Sequence, residues 1–308
     1  MTFSHVSVLL NETIDVLNVR EGGVYFDGTL GGGGHSSEIA RRLGEKGLLL
    51  ASDLDPNALK AAGERLSAFP VEKRFFQSNF KNFSALIAEA GVEKVDGVLL
   101  DLGVSSHQLD ERSRGFSYQE DAPLDMRMSS SGMTAADVVN TYSEADLRRV
   151  LYEYGEENNA RAIARRIVER RGEKPFETTM ELVECIRAAF GGRRTDKNPA
   201  RRTFQALRIE VNGELSGLSD VLFEMADALN PGGVLAVITF HSLEDRIVKQ
   251  AFRRMIDGCT CPREFPVCTC GFVQTVDLAF KKPVVASEKE LNENPRARSA
   301  KLRAVIKR

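Results

Sequence analysis

The chain has 308 residues, 42% of them hydrophobic and 28% charged, with a formal net charge of -2. That balance excludes a disordered chain, and the near-neutral charge excludes a globally basic nucleic-acid binder, so any basic surface must be local. No apolar run reaches the ~18 residues of a membrane-spanning helix, and MTFSHVSVLLNETIDVL has no basic leader, so a cytosolic protein without a membrane partner is expected.

Residues 6–20 carry Val8, Leu9, Leu10, Ile14 and Leu17 at helical spacing and predict a short amphipathic helix. Val24, Tyr25 and Phe26 predict a buried strand ending on Asp27. Four consecutive glycines, Gly31 to Gly34, then precede the helical pattern SSEIARRLG, with Ser36 or Ser37 as its expected cap. Glycine suits a backbone that turns sharply and lets a ligand approach its amides, and a helix start adds unpaired N–H groups. A second strand, LLLASD, ends on Asp53, where α/β nucleotide-binding folds place an acid on ribose hydroxyls. The spacing G-x-G-x-x-G is absent, which disfavours NAD. A strand-end acid, a looser glycine turn and a ribose acid are the arrangement of class I S-adenosylmethionine (SAM) methyltransferases.

A helix from Pro56 to Phe69, a strand at Arg74–Gln77, a helix at Phe83–Ala90 and a strand at Val95–Leu102 continue the alternation, and apolar runs this continuous suit a parallel sheet buried on both faces. The alternation stops after DLGVSS. From His107 to about Arg208 the pattern is loop, then helices, and predicts an inserted helical module. A long helix is expected over Asn212–Leu229, ended by NPGG, then a fifth strand VLAVITF, a helix at Leu243–Ile256, and two closing strands within Phe272–Phe280 and Ala297–Lys307.

Ligands of open α/β sheets lie beyond the carboxyl ends of the strands. Those ends offer Asp27 with the glycine turn and His35, Asp53, Asn79 with Phe80, Asp101 with Ser105 to Gln108, and His241 with Ser242. Two stretches are locally basic. Arg187 to Arg208 holds seven basic residues against one acid, and Arg296 to Arg308 holds six and no acid. Four of five cysteines crowd into CTCPREFPVCTC. In a reducing compartment the run Cys259, Cys261, Cys268 and Cys270 reads as free thiols or as a structural zinc site, and Cys185 reads as core.

DGTLGGGGHS, DLDP, LLDLGVSSHQLD, GFS, PLDMRM, EYGEE, RTFQALRIEVNGEL, ITFHSLEDRIVK and NPRARSAKLR, in this order over nearly the whole chain, resemble the RsmH (MraW) family of bacterial 16S ribosomal RNA cytosine-N4 methyltransferases. The resemblance implies a Rossmann-like class I SAM-dependent domain formed by residues 1–106 and 211–308, interrupted by an all-helical substrate domain at 107–210. It implies methyl transfer from SAM to the exocyclic N4 of a cytidine in the decoding region of 16S rRNA in the small ribosomal subunit. By similarity, Gly33, Gly34 and His35 contact the cofactor's methionine end, Asp53 holds its ribose hydroxyls and Phe80 flanks its adenine, while Asp101 and Gln108 complete the pocket; Asp27 and Gly31 are further cofactor-binding candidates.

An exocyclic amine conjugated to a pyrimidine is a poor nucleophile, so activation must fall on the amine. Asp101 is the candidate to accept its N–H, with His241 as a second catalytic candidate or a helix cap. A D/N/S-P-P-aromatic tetrapeptide, common in amino-methyltransferases acting on DNA, is replaced here by Asp101-Leu-Gly-Val. Extruding a base calls for basic contacts to phosphates, for which Arg193, Arg194, Arg201, Arg202, Arg296 and Arg298 are the candidates. A monomer and a homodimer are both compatible with the sequence.

Overall fold

The computed structural model describes residues 7–105, 111–129, 131–191, 198–262, 266–267 and 269–308. In chain order its elements are α1 (Leu10–Leu17), β1 (Val24–Asp27), α2 (Gly34–Leu43), β2 (Leu48–Asp53), α3 (Pro56–Leu66), β3 (Glu72–Gln77), α4 (Phe83–Glu89) and β4 (Val95–Asp101). Then come five helices, α5 (Ala135–Thr141), α6 (Glu144–Glu153), α7 (Ala160–Arg171), α8 (Thr179–Ala189) and α9 (Ala200–Asn212). The chain closes with α10 (Leu218–Asp227), β5 (Leu229–Thr239), α11 (Ser242–Ile256), β6 (Val276–Leu278), α12 (Glu288–Glu293) and β7 (Lys301–Lys307). It falls into two compact units, residues 1–103 with 216–308, and residues 104–215.

The first unit is a seven-stranded sheet in the order β3-β2-β1-β4-β5-β7-β6. Strands β1 to β5 pair in parallel, whereas β7 is antiparallel to both β5 and β6. The period of two along each strand sends neighbouring apolar residues to opposite faces. Phe26, Leu50 and Leu100 join Phe83, Leu222 and Phe252 in one core, while Tyr25, Leu49 and Leu99 join Ile14, Ile39 and Leu66 in the other. Helices therefore cover both faces, and the expected Rossmann-like α/β sheet is the fold. Strand order reverses between β1 and β4, which opens their carboxyl ends as a ligand crevice. Gly97 of β4 is required there, because a Cβ would sit 2.5 Å from Cε1 of Tyr25.

The second unit holds α5 to α9 around its own core, which includes Val138, Leu151, Ile163, Leu182 and Leu207. Several of the quoted motifs are backbone joints here. The Asn212 side chain accepts from Met128 N at 2.7 Å and donates to Met126 O at 2.8 Å, tying PLDMRM to RIEVNGEL. A Cβ on Gly115 of GFS would meet Pro123 O at 2.2 Å, and one on Gly155 of EYGEE would meet Arg202 O at 2.8 Å.

Four local expectations are corrected. The first helix covers 10–17 rather than 6–20, because Leu9 (φ 52°) and Asn18 (φ 47°) turn left-handed at its two ends. The long helix over Asn212–Leu229 is two helices, separated at Gly213 (φ 57°) and Gly217 (φ 67°). NPGG is not a terminator outside the strand but a bulge inside β5: pairing jumps from Val95–Leu229 to Gly97–Val234, with Gly232 at φ 76°. The glycine-turn helix is capped by Gly33 at φ 73°, not by a serine, since Ser36 and Ser37 spend their hydroxyls elsewhere.

Candidate functional site

The loop after β1 is held by both neighbouring strands. Gly28 N donates to Leu99 O at 2.9 Å, Leu30 N to Ser52 O at 3.1 Å, and Gly31 N to the Asp53 carboxylate at 2.8 Å. A Cβ on Gly33 would press to 3.1 Å from Ala62 in a left-handed conformation, and one on Gly34 would fall 1.9 Å from the Ser7 hydroxyl. Glycine is the residue that lets this loop close onto α2. A Cβ on Gly32 would meet nothing within 4 Å, so the outer side of the turn is open.

Three carboxyl groups converge on this loop from the ends of β1, β2 and β4. Asp27 is buried, accepting from Ser36 Oγ at 2.6 Å and Thr29 N at 3.1 Å. Burial pushes its pKa up to about 6 against those hydrogen bonds, and the Asp53 charge adds to the rise. Asp53 is raised by burial as well, although Oδ2 accepts from Gly31 N and Oδ1 from Asp55 N at 2.9 Å. A carboxylate offers about four lone-pair positions, so Asp53 retains acceptor capacity beyond these two bonds.

Asp101 is the most perturbed of the three. Its side chain is 26% exposed, yet Oδ1 is sealed from solvent with no hydrogen-bond partner. Burial first, then the charges of Asp27 and Glu244, push its pKa up to about 8. Its backbone N–H donates to Thr29 Oγ1 at 2.6 Å, so Thr29 links the β1 acid to the β4 acid. His35 Nε2 lies 3.0 Å from Val8 O, and a carbonyl can only accept, so Nε2 carries the proton. Nδ1 faces Asp101 Oδ2 at 3.7 Å, beyond hydrogen-bond range. Three interacting acids, one held largely neutral, form a site built to receive positive charge or to accept from an amine.

The other sequence candidates are placed as follows. Asn79 caps a 3₁₀ turn by accepting from Lys81 N at 3.0 Å; Phe80 opens that turn, half-buried against the core, beside the space left by Gly28. His241 is the N-cap of α11: Nδ1 accepts from Glu244 N at 3.4 Å, and Glu244 returns Oε2 to Phe240 N and His241 N at 2.8 and 3.2 Å. Arg201 and Arg202 are exposed on the first turn of α9, in the second unit. Arg296 and Arg298 are exposed on a 3₁₀ turn before β7, in the first unit. Gln108, Arg193, Arg194 and Cys268 lie outside the described residues. Among the described residues no helix is long and apolar enough to cross a membrane.

Sequence reasoning did not single out Thr29 or Glu244, whose signals were only their offsets from Asp27 and His241. It also missed a groove of about 270 Å³ on the first unit, floored by Phe252, Ile256 and Leu278 and edged by Lys249, Arg253 and Lys281. The i, i+4 spacing of Lys249 and Arg253 was its one local trace.

Residues 2–308 match the MraW methylase family. A protein of Clostridioides difficile named ribosomal RNA small subunit methyltransferase H is 51% identical over 310 residues, covering 100% of each chain. A protein of Carboxydothermus hydrogenoformans with the same name is 54% identical over 309 residues, covering 100% of this chain and 99% of its own. Among solved structures, an rRNA methylase from Streptococcus thermophilus aligns with a TM-score of 0.42 at 12% identity, over 99% of each chain.

Proposed function

The chain belongs to the MraW methylase family, and from that premise we propose that it transfers a methyl group from SAM to the exocyclic N4 of a cytidine in 16S rRNA of the small ribosomal subunit. The single observation that carries the chemical part is Asp101: a carboxyl at the switch point of the sheet, with one oxygen buried and unpartnered, beside two further strand-end acids. The substrate class is supported by the name of the full-length relatives at 51% and 54% identity.

The residues fit the cofactor. SAM supplies a methyl group already activated on a sulfonium centre. Asp53, with spare lone pairs, would accept from the ribose hydroxyls, the open turn at Gly31 to Gly34 would admit the methionine end against the start of α2, and Phe80 would flank the adenine. Asp27 would face it with negative charge, and a cation brought close to Asp101 would favour the ionised form of that acid.

Asp101 then accepts an N–H from the cytosine amine. Accepting that hydrogen bond would raise electron density on nitrogen, and as the N–C bond formed and the methyl–sulfonium bond broke, the Asp101 carboxylate would take up the proton lost from the amine. His35, fixed by Val8 O, stands with Nδ1 3.7 Å from the other oxygen of Asp101. His241 orients the entry to α11 through its capping box. Arg201, Arg202, Arg296, Arg298 and the cations of the Lys249 groove contact RNA phosphates. The test is transfer of labelled methyl from SAM to small subunits from cells lacking this protein, with recovery of label as N4-methylcytidine; no transfer to RNA overturns the reading.

A further inference from the structure

Residues 257–275 connect α11 to β6, and those described contain no helix or strand. A connection of this length is uncommon in a compact fold without something to hold it. Its two arms meet near their roots, where a Cβ on Gly258 would stand 2.3 Å from Arg254 O and 2.7 Å from Cε2 of Phe272. Farther out, the sulfurs of Cys259, Cys261 and Cys270 lie within 4.8 Å of one another, and Cys259 Sγ is 3.6 Å from Cys270 Sγ.

The Cys259–Cys270 separation fits a shared metal better than a disulfide. A disulfide needs about 2.05 Å between sulfurs, and the observed separation is far longer. Thiolates bound to zinc at about 2.3 Å in a tetrahedron stand about 3.8 Å apart, close to the observed value. We propose that Cys259, Cys261 and Cys270 bind one zinc ion that fastens the two arms of this connection, a structural role separate from methyl transfer.

A supporting shell is already in place. Thr269 N donates to Cys261 Sγ at 3.2 Å, and Thr269 Oγ1 lies 3.6 Å from the same sulfur. Such bonds favour and orient a thiolate, as outer partners of metal ligands do. On binding, the thiols release their protons to solvent and the sulfur lone pairs form the metal bonds; no electron transfer is involved. Three thiolates leave the fourth tetrahedral position to water or another donor. Cys185, buried in α8 of the other unit, is an internal control.

The experiment uses the full chain, purified without a histidine tag under reducing conditions. Mass spectrometric metal analysis is expected to find about one zinc per chain, falling at least about tenfold in Cys259→Ser with Cys270→Ser and unchanged in Cys185→Ser. Because the double variant could fail to fold, wild-type protein stripped of metal is titrated with Cd²⁺ alone. Thiolate-to-metal charge-transfer absorbance saturating near one equivalent supports the site. Absence of both zinc and this absorbance overturns it, as does full zinc content in a folded double variant.

Discussion

Asp101→Asn is expected to stabilise the ligand-free protein while removing its activity. Asp101 has an ordinary pKa of 3.8 and a folded value of about 8. Between these values the folded protein retains a proton that the unfolded chain releases, so stability is fully present below pH 3.8 and falls as pH rises toward about 8. One pKa unit corresponds to about 1.4 kcal/mol, which gives about 6 kcal/mol over the whole window. The side chain is 26% exposed, and solvent screening reduces the expected effect to about 3 kcal/mol.

Asparagine preserves the shape and carries no charge to be buried at any pH. Thermal melts at pH 5 and pH 8 should therefore separate the two proteins. At pH 8 the variant should melt higher by at least about 5 °C, and the gap should narrow toward pH 5. An equal or lower melting temperature at pH 8, or an unchanged dependence on pH, would refute the placement of Asp101 as an acid held neutral by the fold.

Four further outcomes follow from the same geometry. Methyl transfer measured as kcat/KM should rise with pH to a plateau above about 8, the Asp101 value, because the ionised carboxylate is the stronger acceptor; a flat profile counts against it. Ser36→Ala removes the hydroxyl 2.6 Å from Asp27, which should raise the Asp27 pKa further and cost about 1.5–3 kcal/mol in urea unfolding at pH 8, less at pH 5. Gly97→Ala puts a methyl 2.5 Å from the buried Tyr25 ring, with an expected loss of about 1–3 kcal/mol in the same assay and no effect specific to substrate. Arg201→Ala with Arg202→Ala should weaken RNA binding at least about tenfold and flatten its salt dependence, with SAM affinity by calorimetry unchanged; equal loss of both would count against the phosphate-contact role.

The centre of the fold was legible because its signals are short-range. Asp27, the glycine run and Asp53 lie within 27 residues, and strand-glycine-helix geometry depends on neighbours. The errors came where a local signal had two structural solutions. Gly213 and Gly217 lie in a pattern that a continuous helix tolerates at modest cost, and it is their left-handed backbone that divides α9 from α10. Asn-Pro-Gly-Gly reads as a stop, yet bulges within β5 because β4 continues to pair on either side of it. Ser36 fits a cap equally well, but a buried carboxylate 2.6 Å away is a stronger partner than a helix end. The perturbation of Asp101 and the Lys249 groove are products of tertiary assembly. Asp27 and Asp101 come from two strand ends and Glu244 from the first turn of α11, and the groove joins residues from α11, β6 and β7.

The most direct measurement combines both halves of the proposal. Small subunits from cells lacking the protein are incubated with labelled SAM and either wild-type protein or Asp101→Ala, the RNA is digested to nucleosides, and SAM affinity is measured in parallel. Label is expected in N4-methylcytidine with wild type, and at least about a hundredfold less with the variant at similar SAM affinity. Label on any other atom, or full transfer by Asp101→Ala, would contradict the proposal.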